Sequence, residues 1–392
     1  MKRTLILFFT LLTAVGLVGC GTAPATRSEE PSSAAATATL RAVGDIYLTD
    51  GMLDAAVLPD GSYDFSTQFA GIIPALADAD LTLANFEGNF DSAPYGKELA
   101  SYPDALAKTL SAAGIDLLQT ANTYSIFNGM AGMERTKSVI EAQGMTAFGT
   151  YVSAADRESN QVIVREINGI RIAFVAFTKG LGGMGLPTGA EYCVNLLYTD
   201  YTSNYENIDY DGIRAVMKAA RDTDPDVLVV SLHWGSENTR EVSSSQENIA
   251  NLLIDCGADL ILGSHSHLAA PIEQRGVRMD NGEDKTVVIA YGLGDLSAVE
   301  ESSSTVGVML DLEVTKNSSG DTYFSKVDYR AVGAVDRGEE IQNRYRVLDI
   351  DAALALYEAN YYDRVSGSLY ETLVAKRESL EGYVHPATEP AE

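Results

Sequence analysis

The chain has 392 residues, 46% of them hydrophobic, which allows a sizeable buried core. Its 28 lysines and arginines face 55 aspartates and glutamates, a formal net charge of −27. A surface this acidic excludes nucleic acid held by general electrostatics, and it repels an anionic polymer wherever no metal or local basic group reverses the field.

The N-terminus has the layout of an export signal. Lys2 and Arg3 form a positive start, and Leu5 to Val18 is an apolar run too short for a comfortable membrane span. Gly19-Cys20 then resembles a bacterial lipobox, which implies a signal peptide at 1–19 and a lipid on Cys20. Cleavage there removes Lys2 and Arg3 and no acid, so the charge of −27 becomes −29. Residues 20–38 are small and polar, with no hydrophobic pattern, and read as a flexible tether. The expected location is extracytoplasmic, with the membrane as partner through lipidated Cys20. Cys193 and Cys256 remain; neither spacing suits a thiolate zinc site, and Cys256 reads as a buried free thiol in a helix.

Residues 39–336 alternate strand and helix patterns. Strands are expected at Leu40–Val43, Leu81–Ala84 and Leu117–Thr120, with helices at Ser66–Leu76, Pro103–Ala113 and Gly129–Gln143. Gln161–Ile167 and Arg171–Phe177 form a hairpin about Asn168-Gly169. A helix at Asp211–Arg221 leads to a strand at Val227–Leu232, and one at Gln246–Cys256 to a strand at Leu260–Leu262. Val287–Tyr291, Val306–Val314 and Tyr323–Val332 follow as strands without helices between them. This order predicts an α/β domain with mixed sheets. Residues 337–392 form an extension with a helical stretch at Ala352–Leu380, and His385 in its polar tail is no ligand. Gly180 to Pro187 is glycine-rich but lacks the Lys-Ser/Thr of a phosphate loop; it reads as a flexible rim over the site.

Three of the four histidines stand in two short stretches, each just past an apolar run: His233 after Val227–Leu232, and His265 and His267 after Leu260–Leu262. Asp45, Asn85 with Glu87, and Asn122 also follow strands. Taken singly, Asp45 and Asn122 fit turn caps, Glu87 a surface acid and His233 a core histidine. Jointly, carboxylates and imidazoles at strand ends suit one divalent ion, or a pair bridged by an acid.

Five blocks carry a resemblance. Gly44-Asp45-Ile46, Leu83-Ala84-Asn85-Phe86-Glu87, Leu232-His233-Trp234-Gly235, Gly263-Ser264-His265-Ser266-His267 and Ala290-Tyr291-Gly292-Leu293-Gly294-Asp295 look like the CapA family, named for poly-γ-glutamate capsule biosynthesis. That family is similar to the calcineurin-like metallophosphatases. The resemblance spans roughly residues 38–335 and implies paired mixed β-sheets flanked by helices, and an envelope role. It also has departures. Where the family reads Ala-Asn-Asn-His with an aspartate three residues on, this chain has Ala121-Asn122-Thr123-Tyr124 and Phe127. Gly-His-His-Pro-His has become Gly263-Ser264-His265-Ser266-His267, and Gly-Asn has become Gly294-Asp295.

On this resemblance Asp45, Glu87 and His267 would bind one divalent ion, manganese or zinc. Glu87, His233 and His265 would bind a second, with Glu87 bridging. Asn122 would orient substrate, Tyr124 would donate a proton, and Asn85 and Asp295 would contact substrate. Metal-assisted hydrolysis at a phosphoryl or acyl centre is one expected function. A non-catalytic lipoprotein that binds or organises an anionic capsule or cell-wall polymer is the other, favoured by the loss of an amide and an imidazole at Thr123 and Tyr124. A tyrosine of ordinary pKa near 10 suits neutral acid catalysis less well than a histidine.

The anchor is directly testable. Cys20→Ala should abolish lipid labelling and move the protein from the membrane fraction to the medium, or leave it unprocessed. Unchanged labelling would refute the assignment.

Overall fold

The computed structural model describes residues 35–278, 282, 284–299, 306–338 and 343–384. Cys20, the segment 1–19, residues 20–34 of the tether and His385 lie outside the described residues.

The first half of the chain runs β1 (Ala36–Ile46), α1 (Asp50–Asp54), α2 (Ser66–Phe69), α3 (Ile73–Leu76), β2 (Leu81–Phe86), β3 (Asn89–Phe90), β4 (Ser101–Tyr102), α4 (Asp104–Ala112), β5 (Leu117–Gln119), α5 (Gly129–Ala142), β6 (Thr146–Phe148), α6 (Ala154–Asn160) and β7 (Ile163–Ile167). It continues with β8 (Ile170–Thr178), α7 (Tyr210–Arg221), β9 (Val227–His233), α8 (Ser244–Asp255), β10 (Leu260–Ser264), β11 (Ile272–Arg278), β12 (Asp284–Ala290), β13 (Gly307–Lys316), β14 (Thr322–Asp336), β15 (Tyr345–Asp349), α9 (Ile350–Glu358) and α10 (Gly367–Glu378).

These strands make two mixed sheets. The seven-stranded sheet has the order β15-β14-β13-β1-β2-β5-β6, and the six-stranded sheet β11-β12-β10-β9-β8-β7. In the first, β1, β2, β5 and β6 are parallel; in the second, β8, β9, β10 and β12 are. The two-residue period of the strands sorts side chains between faces. In β8, Ile172, Phe174 and Ala176 join the core between the sheets, while Ala173, Val175 and Phe177 pack outward. That outer face meets Ile213 and Met217 of α7 and Ile249 and Leu253 of α8. The outer face of the other sheet meets Phe69, Leu76, Leu106 and Leu110 from α2, α3 and α4. The result is paired mixed sheets flanked by helices, as expected.

Several elements differ from the sequence expectations. β1 begins at Ala36, inside the segment assigned to the tether. The single helix expected at 66–76 is two short ones. Gly71 lies between them, where an added Cβ would come within 2.8 Å of the Val347 carbonyl, and Pro74 occupies the first turn of α3, where a missing N–H costs nothing. The extension expected to be helical first adds β15 to the sheet, and its helix breaks after α9, where Asn360 is left-handed. β11 escaped notice because Ile-Glu-Gln-Arg-Gly-Val-Arg is a mostly polar edge strand. Cys193 and Cys256 are both free, the first buried and the second half-buried.

A bulge in β1 aims the first site residue. Ala42 faces the core between the sheets and Val43 the outer face. The register with β2 shifts between Ala42 and Asp45, and Ile46 then packs outward. The irregularity therefore turns Asp45 toward the second sheet. Gly44 makes it possible: its neighbour Asp45 donates its N–H to the Gly294 carbonyl at 2.8 Å, and a Cβ on Gly44 would sit 1.7 Å from that oxygen. Gly44→Ala should therefore destabilise the protein by about 1–3 kcal/mol through forced backbone movement. Gly276→Ala, with open space around it, should stay within about 0.5 kcal/mol. Urea unfolding of both variants measures this, and equal effects would contradict it.

Candidate metal centre

The chemistry-bearing side chains gather at the carboxyl edges of the parallel strands, where α/β proteins place their sites. Asp45 stands near the end of β1, Asn85 near the end of β2 with Glu87 just beyond it, and Asn122 after β5. His233 ends β9, His265 and His267 follow β10, and Asp295 follows β12, bridging to Asp45. Glu87, His233 and His265 offer ligand atoms that all lie within 4.8 Å of one another; so do Asp45, Glu87 and His267. Glu87 belongs to both groups. The seam joins the sheets directly, because the His265 N–H donates to Asp45 Oδ2 at 3.1 Å.

The loop after β10 is strained. His265 has φ +90° and His267 φ +57°, values that non-glycine residues adopt rarely. Gly263 lets this loop approach the next strand; a Cβ there would lie 2.2 Å from the Tyr291 carbonyl. The rings of His233 and His265 come to 4.4 Å, centroid to centroid. Glu87 Oε1 and His233 Nε2 are 3.1 Å apart, and His267 Nδ1 lies 2.9 Å from Asp295 Oδ1. The Tyr47 ring packs edge-on against His267, and its hydroxyl reaches Asp295 Oδ2 at 3.4 Å.

A test of fit for a metal lies in atoms without partners. Glu87 Oε2, His233 Nδ1 and His265 Nδ1 are buried and make no hydrogen bond. Buried polar atoms are otherwise almost always satisfied. Among the described residues, neither Asp45 nor Glu87 has an ion pair with lysine or arginine. Burial, reinforced by Glu87, pushes the Asp45 carboxyl well above its usual range. Burial likewise pushes Glu87 up to about 7, against the opposing charge of His267. Burial, with the nearby charges of His267 and Lys179, keeps His233 neutral; burial, with His233 and Lys179, does the same for His265. Their lone pairs are therefore available. Burial disfavours the His267 cation too, but the hydrogen bond to Asp295 and the charges of Glu87, Asp295 and Asp45 outweigh it and raise it to about 10. The acids of this pocket attract positive charge, and the donor set fits a divalent cation. A carboxylate behind an imidazole, as Asp295 is behind His267, is the usual support of a histidine ligand.

Three of the expected substrate-facing residues lie against other side chains. Asp295 contacts His267 and Tyr47. Asn85 donates to Asp45 Oδ1 at 2.7 Å and accepts from Asn122. Asn122 has both amide hydrogens committed, to Asn85 Oδ1 and the Phe86 carbonyl, and its oxygen accepts from the Tyr124 N–H. The Tyr124 phenol is raised by burial and by Glu87, which makes it a weaker acid, and its ring lies 5.6 Å from Phe127. Two further residues at the cleft went unread. Lys179 follows β8 by the same strand-end logic that found His233, and Glu237 lies in the loop after β9.

The chain belongs to the family described as bacterial capsule synthesis protein PGA_cap, whose model matches residues 39–299. It is 26% identical over 267 residues to the PGA biosynthesis protein CapA of Bacillus subtilis (strain 168), a match covering 66% of this chain and 64% of that protein. It is 25% identical over 243 residues to the capsule biosynthesis protein CapA of Bacillus anthracis, covering 59% of this chain and 54% of that one. The chain thus spans less than two thirds of the length of either relative. Among solved structures, the NAD nucleotidase of Haemophilus influenzae is similar with a TM-score of 0.45 at 11% identity, over 91% of this chain and 58% of that one. The purple acid phosphatase PPD1 of yellow lupin has a TM-score of 0.32 at 14% identity, over 75% of this chain and 54% of that one.

If Asp295 supports His267, Asp295→Ala should weaken divalent metal binding by about ten- to a hundredfold. Tyr124→Phe should leave it unchanged. Metal titration by calorimetry reads both, and a full-affinity Asp295→Ala variant would contradict the assignment.

Proposed function

We propose that this protein is a lipid-anchored extracytoplasmic member of a capsule or envelope polymer assembly system, built around a divalent metal centre. Asp45, Glu87 and His267 would hold one ion, and Glu87, His233 and His265 a second. The observation that carries this reading is the convergence of Glu87, His233 and His265, which bring ligand atoms within 4.8 Å of one another in one seam and each keep a buried polar atom without a hydrogen bond. A mixed carboxylate and imidazole set suits manganese or zinc. Such ions, when bound, polarise phosphoryl or acyl oxygens and acidify water.

The chain's own residues do the rest. Asp295 and Tyr47 fix the His267 ring, while Asn85 and Asn122 fix the Asp45 carboxylate. Membership of the capsule synthesis family, and relatives named for capsule and PGA biosynthesis, support a polymer of the cell envelope as the partner. Cys20 would tether the domain to the membrane. No helix among the described residues is long and apolar enough to cross one. The net charge of −27 argues against nucleic acid.

A second reading, binding or organising an anionic polymer without turnover, has a specific observation behind it. Tyr124 stands where the family has an imidazole, and burial makes its phenol a weaker acid still. Loss of a well-placed general acid costs roughly a hundred- to ten-thousandfold in rate. The wild-type protein is therefore expected to bind divalent metal yet hydrolyse simple phosphoesters poorly. His265→Ala should cut metal content. Thr123→Asn combined with Tyr124→His should raise phosphoesterase activity on a chromogenic diester. Brisk wild-type turnover abolished by chelation would show that the two departures do not matter.

A further inference from the structure

Beside the metal seam lies a pocket of about 290 Å³, with His265 in its wall. Lys179, Gly180, Gly182, Tyr205 and Glu237 also line it. Its size suits one amino-acid-sized group rather than a folded partner. The glycines belong to the glycine-rich stretch that the sequence marks out as a rim.

Lys179 is fixed in an unusual way for so acidic a chain. Lys137, Lys218, Lys285 and Lys316 each pair with an aspartate. Lys179 instead donates to the Gly235 carbonyl at 2.6 Å and rests 4.5 Å from the centroid of the Tyr205 ring. Its backbone N–H donates to the His233 carbonyl at 2.8 Å, tying it to the strand that carries a candidate ligand. An ammonium has three donors, so this geometry leaves two for a guest. Glu237, exposed, shares the pocket, and Lys179 and Glu237 form no ion pair with each other. A lone anion there would meet the Glu237 carboxylate, and a lone cation the Lys179 ammonium. A group carrying both charges satisfies both walls.

We infer that this pocket is a subsite for an amino-acid-like end, one that bears a carboxylate and an ammonium on the same carbon, with its carboxylate on Lys179 and its ammonium on Glu237. The inference rests on the reading of the adjoining seam as the functional centre. It places the polymer terminus, not its repeating interior, beside His265.

The test is calorimetric titration of the purified, manganese-loaded full chain with γ-glutamyl-glutamate, its N-acetyl derivative and inorganic phosphate. Wild type should bind the free dipeptide at least about tenfold more tightly than either of the others. Lys179→Met should weaken the dipeptide by about tenfold or more. Glu237→Gln should collapse the difference between the free and acetylated forms. Equal binding of both dipeptides by wild type, tighter binding of phosphate, no dipeptide binding, or full affinity in Lys179→Met would each overturn the proposal. Metal content, measured separately in the same samples, should be unchanged in both variants. A wild-type chain that takes up no metal would instead overturn the metal centre, and the dipeptide titration of that metal-free chain would still decide the subsite.

Discussion

A carboxylate carried out of water must meet positive charge or a proton, and Glu87 is carried almost fully out of water. It is 3% exposed, one oxygen faces His233, and the other has no partner. Leaving such a group uncompensated costs several kcal/mol on the general scale for buried ions. Among the described residues no lysine or arginine pairs with it; two neutral imidazoles, the His267 cation and a second buried acid, Asp45, surround it instead. That arrangement is poor as a salt bridge and well suited to a cation bound from solution.

The backbone around Glu87 is shaped to keep this arrangement. The β1 bulge turns Asp45 inward, and Gly44 makes room for the Gly294 carbonyl. The loop after β10 accepts two left-handed histidines. Each feature is locally unfavourable or demanding, and each aims a ligand at one point where the carboxyl edges of the two sheets meet. Residues with demanding backbone that also carry metal-ligating side chains fit a functional site.

The convergence of the candidate ligands was readable because it follows a local rule: a polar residue at or just past the end of an apolar strand. Asp45, Glu87, His233, His265 and His267 all obey it. The contacts of Asp295, Asn85 and Asn122 were not readable, because the sequence does not show which side chains the folded register sets against them. Asp295 meets His267 from 28 residues away and Asn85 meets Asp45 from 40, pairings that only the folded register creates. Lys179 was overlooked although it obeys the same rule, because a single lysine after a strand carries no signal until Tyr205 and Glu237 are seen beside it. In the fold, long periodic elements such as β8, β9 and α7 were legible. β3, β4 and β11 were not: the first two are two residues long, and the third is an edge strand whose polar sequence hides its alternation.

The central claim is that Glu87 bridges two divalent cations. Anomalous diffraction from crystals soaked in manganese, recorded with the wild-type chain, tests it most directly. The account predicts two anomalous peaks flanking the Glu87 carboxylate, one bounded by Asp45 and His267 and the other by His233 and His265. An ordered, metal-free seam at saturating manganese, with Glu87 still against His233, would contradict it.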